Sequence, residues 1–235
     1  MKKLVVFVEG QTEQIFVERL LEEAAGKNNI QIEKRQATGG QATQRKLKLI
    51  SASTPDSSHK FFAQIVDCGA DDRVKSDIVE RYEGLVSAGF ETIVGIRDVY
   101  PTCLYADIQK FRRGLQFRVK TRPVEVVFVL GVMEIETWFI TEYTHFQRLN
   151  SALTPDLIRA RLGFDPRTDD IQLRNHPADD LNNIYHLVGL SYKKDRYRVQ
   201  RTVDVLDYER MYCELPSRLP DLKTLVSVID QFLSV

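Results

Sequence analysis

The run Lys3-Leu4-Val5-Val6-Phe7-Val8, closed by Glu9-Gly10, decides the fold class of this chain. Apolar residues in unbroken succession describe a strand covered on both faces, as in a parallel sheet between helices. Directly after it, Thr12 can cap a helix in which Ile15, Phe16, Leu20, Leu21 and Ala24 recur at helical spacing, until Gly26 ends it. The glycine between Glu9 and Gln11 permits a sharp turn at the junction.

The same pattern returns further along. Phe61–Val66 reads as a strand, Asp71–Ala88 as a helix, Thr92–Ile96 as a strand ending at Arg97-Asp98, and Val124–Leu130 as a strand. A short strand is expected near Ile30–Lys34 and a helix over Thr102–Leu115. The Gly-, Gln-, Thr- and Ser-rich stretch Ala37–Ser58 reads as a mobile loop around a short basic helix. Strands alternating with helices predict an α/β fold: a mostly parallel sheet with helices on both faces, over residues 1–141. Past residue 141 the strand signal stops. Residues 142–235 predict a mainly helical extension or subdomain packed on the core, with helices at Pro155–Leu162, Ala178–Val188, Arg198–Glu209 and Leu222–Leu233. The polar segment Asp165–Pro177 reads as a linker or exposed loop.

Composition narrows the function classes. Lys+Arg and Asp+Glu both number 33 among 235 residues, so any attraction to nucleic acid must come from local patches. Cys68, Cys103 and Cys213 are odd in number and lack a C-x-x-C pair, which argues against a disulfide framework and a thiolate zinc site. No apolar run approaches the roughly 18 residues that a membrane span needs. The expected setting is therefore soluble and cytoplasmic, without a membrane partner. Neither a Gly-x-Ser-x-Gly elbow nor a phosphate-binding glycine-rich loop is present.

Acids stand where the expected strands end: Glu9, Asp67, Asp98, then Glu134 and Glu136. In a parallel sheet the strand ends share one edge, so these groups can converge from distant parts of the chain. Carboxylates brought together repel unless a cation neutralises them, and an all-oxygen set suits Mg²⁺ or Mn²⁺. The competing reading is ordinary strand-end acid: helix caps and solvated charge. Glu13, in the first helical turn, is open to both readings. Glu134 and Glu136 share a side on a strand but diverge by about 200° on a helix. Only one of the two is therefore expected to point inward.

Val5-Val6-Phe7-Val8-Glu9-Gly10-Gln11-Thr12-Glu13 resembles the first motif of TOPRIM domains, and its Thr-Glu resembles the overcoming-lysogenization-defect nucleases. Ile96-Arg97-Asp98-Val99-Tyr100-Pro101 falls where that family carries Asp-x-Asp. Met133-Glu134-Ile135-Glu136-Thr137-Trp138-Phe139 resembles the Glu-x-Trp segment of a branch related to the RloB-like proteins. The resemblance covers the first ~140 residues well and reaches His176-Pro177 and Tyr192-Lys193-Lys194 more faintly. It implies a TOPRIM-like core and a divalent-metal-dependent nuclease. Glu9 and Asp98 would be the principal metal-site and catalytic positions, with Glu13 and Glu136 supporting and Glu134 or Asp67 compensating. Tyr100 replaces the second Asp, which leaves one-metal chemistry or loss of catalysis open. The resemblance also implies a partner ATPase and a place in phage defence.

Two basic clusters qualify as nucleic-acid surfaces: Arg112, Arg113, Arg118, Lys120 and Arg122, then Lys193, Lys194, Arg196, Arg198 and Arg201. Tyr192 and Tyr197 in the second can stack on bases. Lys193 or Lys194 can instead approach the metal site. His176 is the one histidine placed to join a site, and Trp138 reads as core. The alternatives to a nuclease are a catalytically inactive TOPRIM-like interaction module and, ranked last, nucleotidyl transfer.

Overall fold

The protein is described by a computed structural model over residues 1–40, 45–70 and 72–234. It is an α/β protein with a six-stranded, mostly parallel sheet in the order β3-β2-β4-β1-β5-β6, helices around it and C-terminal helices. β1 (Lys2–Val8) pairs in parallel with β4 (Phe61–Asp67) and with β5 (Thr92–Asp98). β2 (Ile30–Thr38) also runs parallel to β4. β6 (Val126–Gly131) closes the far edge. Leu4 through Val8 are all buried because β1 is interior to the sheet, as its unbroken apolar run requires.

β3 (Lys46–Ala52) departs from expectation. It pairs antiparallel with β2 across a bulge between Lys34 and Arg35, where a loop around a short basic helix was expected. Residues 41–44 of that stretch lie outside the described residues. Leu47, Leu49 and Ile50 were hidden among Lys and Ser in the reading of Ala37–Ser58. An edge strand tolerates such a sequence because only one side of its backbone is paired.

α1 (Gln11–Ala25) packs on β1, β2 and β4 through Ile15, Phe16, Val17, Leu20 and Leu21. Its N-cap is Gly10 rather than Thr12, which lies buried inside the first turn. Gly10 is extended, with φ −158°, and an added Cβ would only touch Glu13 Oε2 at 3.7 Å, so the turn does not demand glycine. α2 (Arg73–Ser87) packs on β1; the expected start of this helix, Asp71, lies outside the described residues. The helix expected over Thr102–Leu115 is a 3₁₀ turn (Tyr105–Asp107) followed by α3 (Ile108–Gln116).

Contacts divide the chain into two compact units. The first comprises Met1–Arg97, Gln109–Val129 and Ser227–Val235; the second comprises Asp98–Ile108 and Leu130–Val226. The second holds α4 (Glu136–Thr141), α5 (His145–Leu149), α6 (Pro155–Leu162), α7 (Pro177–His186), α8 (Arg196–Val203) and α9 (Tyr208–Cys213). α10 runs over Pro220–Leu233. The single helix expected over Arg198–Glu209 is broken between Val203 and Tyr208, where Asp207 caps α9 by accepting from Arg210 N. Of the two readings of Asp165–Pro177, the exposed loop holds for residues 167–170, Leu173, Asn175 and His176. The segment lies inside the second unit rather than linking units, with Asp165 and Ile171 buried and Arg167 clamped on Asp165. Trp138 is buried, as expected of a core residue. No helix among the described residues is long and apolar enough to cross a membrane.

Candidate metal centre

The second unit assembles the candidate site from three stretches. Asp98 is the last residue of β5. Glu134 stands in the turn after β6, and Glu136 is the first residue of α4. Met133 takes a left-handed φ of +63°, and residues 132–135 are neither strand nor helix. Both Glu134 and Glu136 therefore reach the same point, where only one was expected to. One oxygen from each of Asp98, Glu134 and Glu136 lies within 4.8 Å of the others, and all three residues are buried.

The backbone holds this geometry tightly. Ile135 N donates to Asp98 Oδ1 at 2.9 Å, and Tyr100 N donates to Met133 O at 2.8 Å. Gly131 makes room for the approach. A Cβ there would collide with Asp98 Oδ1 and sit 2.8 Å from Ile135 N and 3.1 Å from its Cα.

Each carboxylate has distinct partners. Glu134 Oε2 accepts from Ala178 N, 2.8 Å away in the first turn of α7, where the helix dipole favours an anion. Lys194 Nζ lies 3.0 Å from Glu134 Oε1, 3.4 Å from Glu136 Oε2 and 3.7 Å from Asp98 Oδ2. Tyr192 donates its hydroxyl proton to Glu136 Oε1 at 2.7 Å. Glu136 Oε2 receives no hydrogen bond although the residue is fully buried. Burial, and then the neighbouring Glu134 charge, hold the Glu136 carboxyl above the usual glutamate range against the pull of Lys194 and Tyr192.

These features fit a divalent cation. The donors are all carboxylate oxygens, the preference of hard ions. One buried oxygen, Glu136 Oε2, accepts no hydrogen bond and has the Lys194 ammonium 3.4 Å away as its counter-charge. Within this group of four, one ammonium faces three carboxylates, so two negative charges remain when all are ionised.

The other predicted residues have their own settings. In the first unit, Arg97 Nε donates to Glu9 Oε1, and the Arg97 guanidinium lies over the Phe111 ring, 5.1 Å from its centroid. Glu13 Oε2 accepts from Gly10 N at 3.1 Å, the back-bond of a first-turn acid to its own N-cap. Asp67 accepts from Gly69 N at 2.8 Å and from the Gln36 amide at 3.3 Å; burial nonetheless raises its carboxyl above the usual range. Sequence reasoning passed over Arg97, although its place beside Asp98 at a strand end was visible.

In the second basic cluster, Lys193 and Arg196 are exposed, while Arg198 is tied to Asp195 and Ser191. Lys194 takes the second role considered for it, inside the acidic group. Tyr192 is not available for stacking on bases, because it is buried and bonded to Glu136; Tyr197 is 75% exposed. His176 is exposed, its ring edge-on to Tyr100 with centroids 4.7 Å apart. No family model, curated protein or solved structure matches the chain.

Proposed function

We propose that this chain is a TOPRIM-like, divalent-metal-dependent hydrolase of nucleic-acid phosphodiesters. The observation that carries the proposal is the buried triad Asp98, Glu134 and Glu136, with one oxygen of each within 4.8 Å of the others, in which Glu136 Oε2 accepts no hydrogen bond. The order of acids along the chain supports it: Glu9 directly follows β1, Asp98 ends β5, and Glu134 and Glu136 follow β6. Mg²⁺ or Mn²⁺ suits such a donor set. A divalent ion supplies Lewis-acid polarisation of a phosphoryl oxygen and an acidified water as nucleophile. Asp98, Glu134 and Glu136 are the residues that would hold it. Lys194, whose side chain is 43% exposed, offsets charge within the group and in this reading would pair with a substrate phosphate. Lys193 and Arg196, exposed and close to Lys194 in sequence, are assigned to substrate binding in the same reading. DNA or RNA as substrate, a partner ATPase and a role in phage defence belong to the same proposal.

The test is twofold. Calorimetry should detect Mn²⁺ binding to the wild type that is lost in Glu136→Gln and Asp98→Asn. Nicking of plasmid or cleavage of RNA should then require the metal and the same two residues. Cleavage that persists in both purified variants overturns the site.

A second reading, an inactive TOPRIM-like interaction module, is favoured by one observation. The Lys194 ammonium already stands among the three carboxylates, as a protein cation in place of a metal. Absence of Mn²⁺ binding together with tight binding to an ATPase partner would decide for it.

A further inference from the structure

Tyr100 occupies the position where the resemblance expects a second metal-binding Asp, and its surroundings suggest a different use. Its backbone is pinned beside the acidic group: Tyr100 N and Val99 N both donate to Met133 O, at 2.8 and 3.1 Å, one residue before Glu134. The ring stands perpendicular to the His176 ring, at 87°. His176 is in turn the N-cap of α7, the helix whose Ala178 N binds Glu134. Two aromatic rings are thereby held by the same backbone that positions two of the three carboxylates.

These rings are open to solvent. Tyr100 is 39% exposed and His176 is exposed; in the same loop as Tyr100, Leu104 is 72% and Tyr105 45% exposed. Three large apolar or aromatic side chains in six residues of one loop are thus exposed, the composition of a surface that can bind a ligand. Aromatic rings together with cations are the elements that hold a single strand: rings stack on bases while ammonium groups follow the backbone. Here Lys194 Nζ, on a side chain 43% exposed, stands 3.7 Å from Asp98 Oδ2, two residues before Tyr100. In a duplex the base faces are already stacked on one another and are not offered to a side chain.

We infer that Tyr100, braced by His176, is a stacking platform that makes this site selective for unpaired nucleotides, so that the substrate is single-stranded nucleic acid. The inference rests on the proposed hydrolase reading for its chemistry but not for its binding test.

A single-stranded oligonucleotide of roughly twelve nucleotides, carrying 2-aminopurine, is titrated with the protein in Ca²⁺, alongside its duplex. Single strands should bind at least about tenfold more tightly than duplex, with quenching of the reporter base. Tyr100→Ala should lose about tenfold in affinity and most of the quenching, and Tyr100→Trp should retain both. Tyr100→Leu keeps bulk against His176 without a π face and should behave as the Ala variant, which separates stacking from folding. Equal affinity for both substrates, or unaltered quenching in Tyr100→Leu, overturns the inference. Selective binding without cleavage in Mn²⁺ supports the platform and removes the hydrolase. Metal-dependent cleavage without strand preference does the reverse.

Discussion

The Tyr192 hydroxyl donates a 2.7 Å hydrogen bond to Glu136 Oε1, and both side chains are buried although 56 residues separate them. It is the one hydrogen bond between side chains recorded for the Glu136 carboxylate among the described residues, since Oε2 has none. Tyr192 is itself fixed, its N–H donating to Asn182 Oδ1 at 2.9 Å and its ring edge-on to Tyr185.

Tyr192→Phe should therefore leave a buried carboxylate without its hydroxyl donor. A loss of about 1–3 kcal/mol in folding stability is expected, measured by urea denaturation at pH 7. In Glu136→Gln, whose side chain is neutral, the same Tyr192 substitution should cost less. A double-mutant cycle with no coupling would contradict the arrangement.

Lys194→Met removes the ammonium shared by Asp98, Glu134 and Glu136. The metal-free protein should lose stability, by roughly 1–2 kcal/mol given that the lysine is partly solvated. Mn²⁺ affinity should rise several-fold, because the competing cation is gone. Calorimetry on wild type and variant reads both the sign and the size.

Gly131→Ala places a methyl against Asp98 Oδ1 and the Ile135 backbone. Overpacking of this kind costs about 1–3 kcal/mol. Because the obstruction falls on the link between Asp98 and Ile135, Mn²⁺ binding should weaken more than global stability suggests. Thermal unfolding with and without Mn²⁺ separates the two effects.

Asp165 gives a pH dependence away from the site. The Arg167 side chain donates to both of its carboxylate oxygens and holds its carboxyl below the usual aspartate range. A depressed carboxyl stabilises the fold above the unfolded-state value of 3.8, and that contribution disappears as pH falls through the lower folded-state value. Asp165→Asn should thus be less stable than wild type at pH 7, with the gap closing below pH 3.8. Urea titrations at several pH values check it; a gap that widens on acidification would refute the pairing.

Much of the sheet was legible because its interior strands carry unbroken apolar runs. β1, β4, β5 and β6 all lie where such runs predict them, and Val5 through Val8 sit buried between two neighbours. β3 was not legible, since an edge strand satisfies half of its backbone with solvent and needs no apolar pattern.

Glu9, where the apolar run of β1 stops, was marked as an acid at a strand end by chain order alone, and so were Asp67, Asp98, Glu134 and Glu136. Which partners each acid acquires was decided by tertiary structure. Glu9 takes Arg97 from the end of β5, and Asp67 caps a turn at Gly69. Asp98, Glu134 and Glu136 gather around Lys194. The physical reason is distance along the chain: periodicity reports which face a side chain leaves by, over a few residues. It carries no information on a lysine 60 positions from Glu134, or on the positive-φ turn at Met133 that lets two glutamates of opposite helical phase meet.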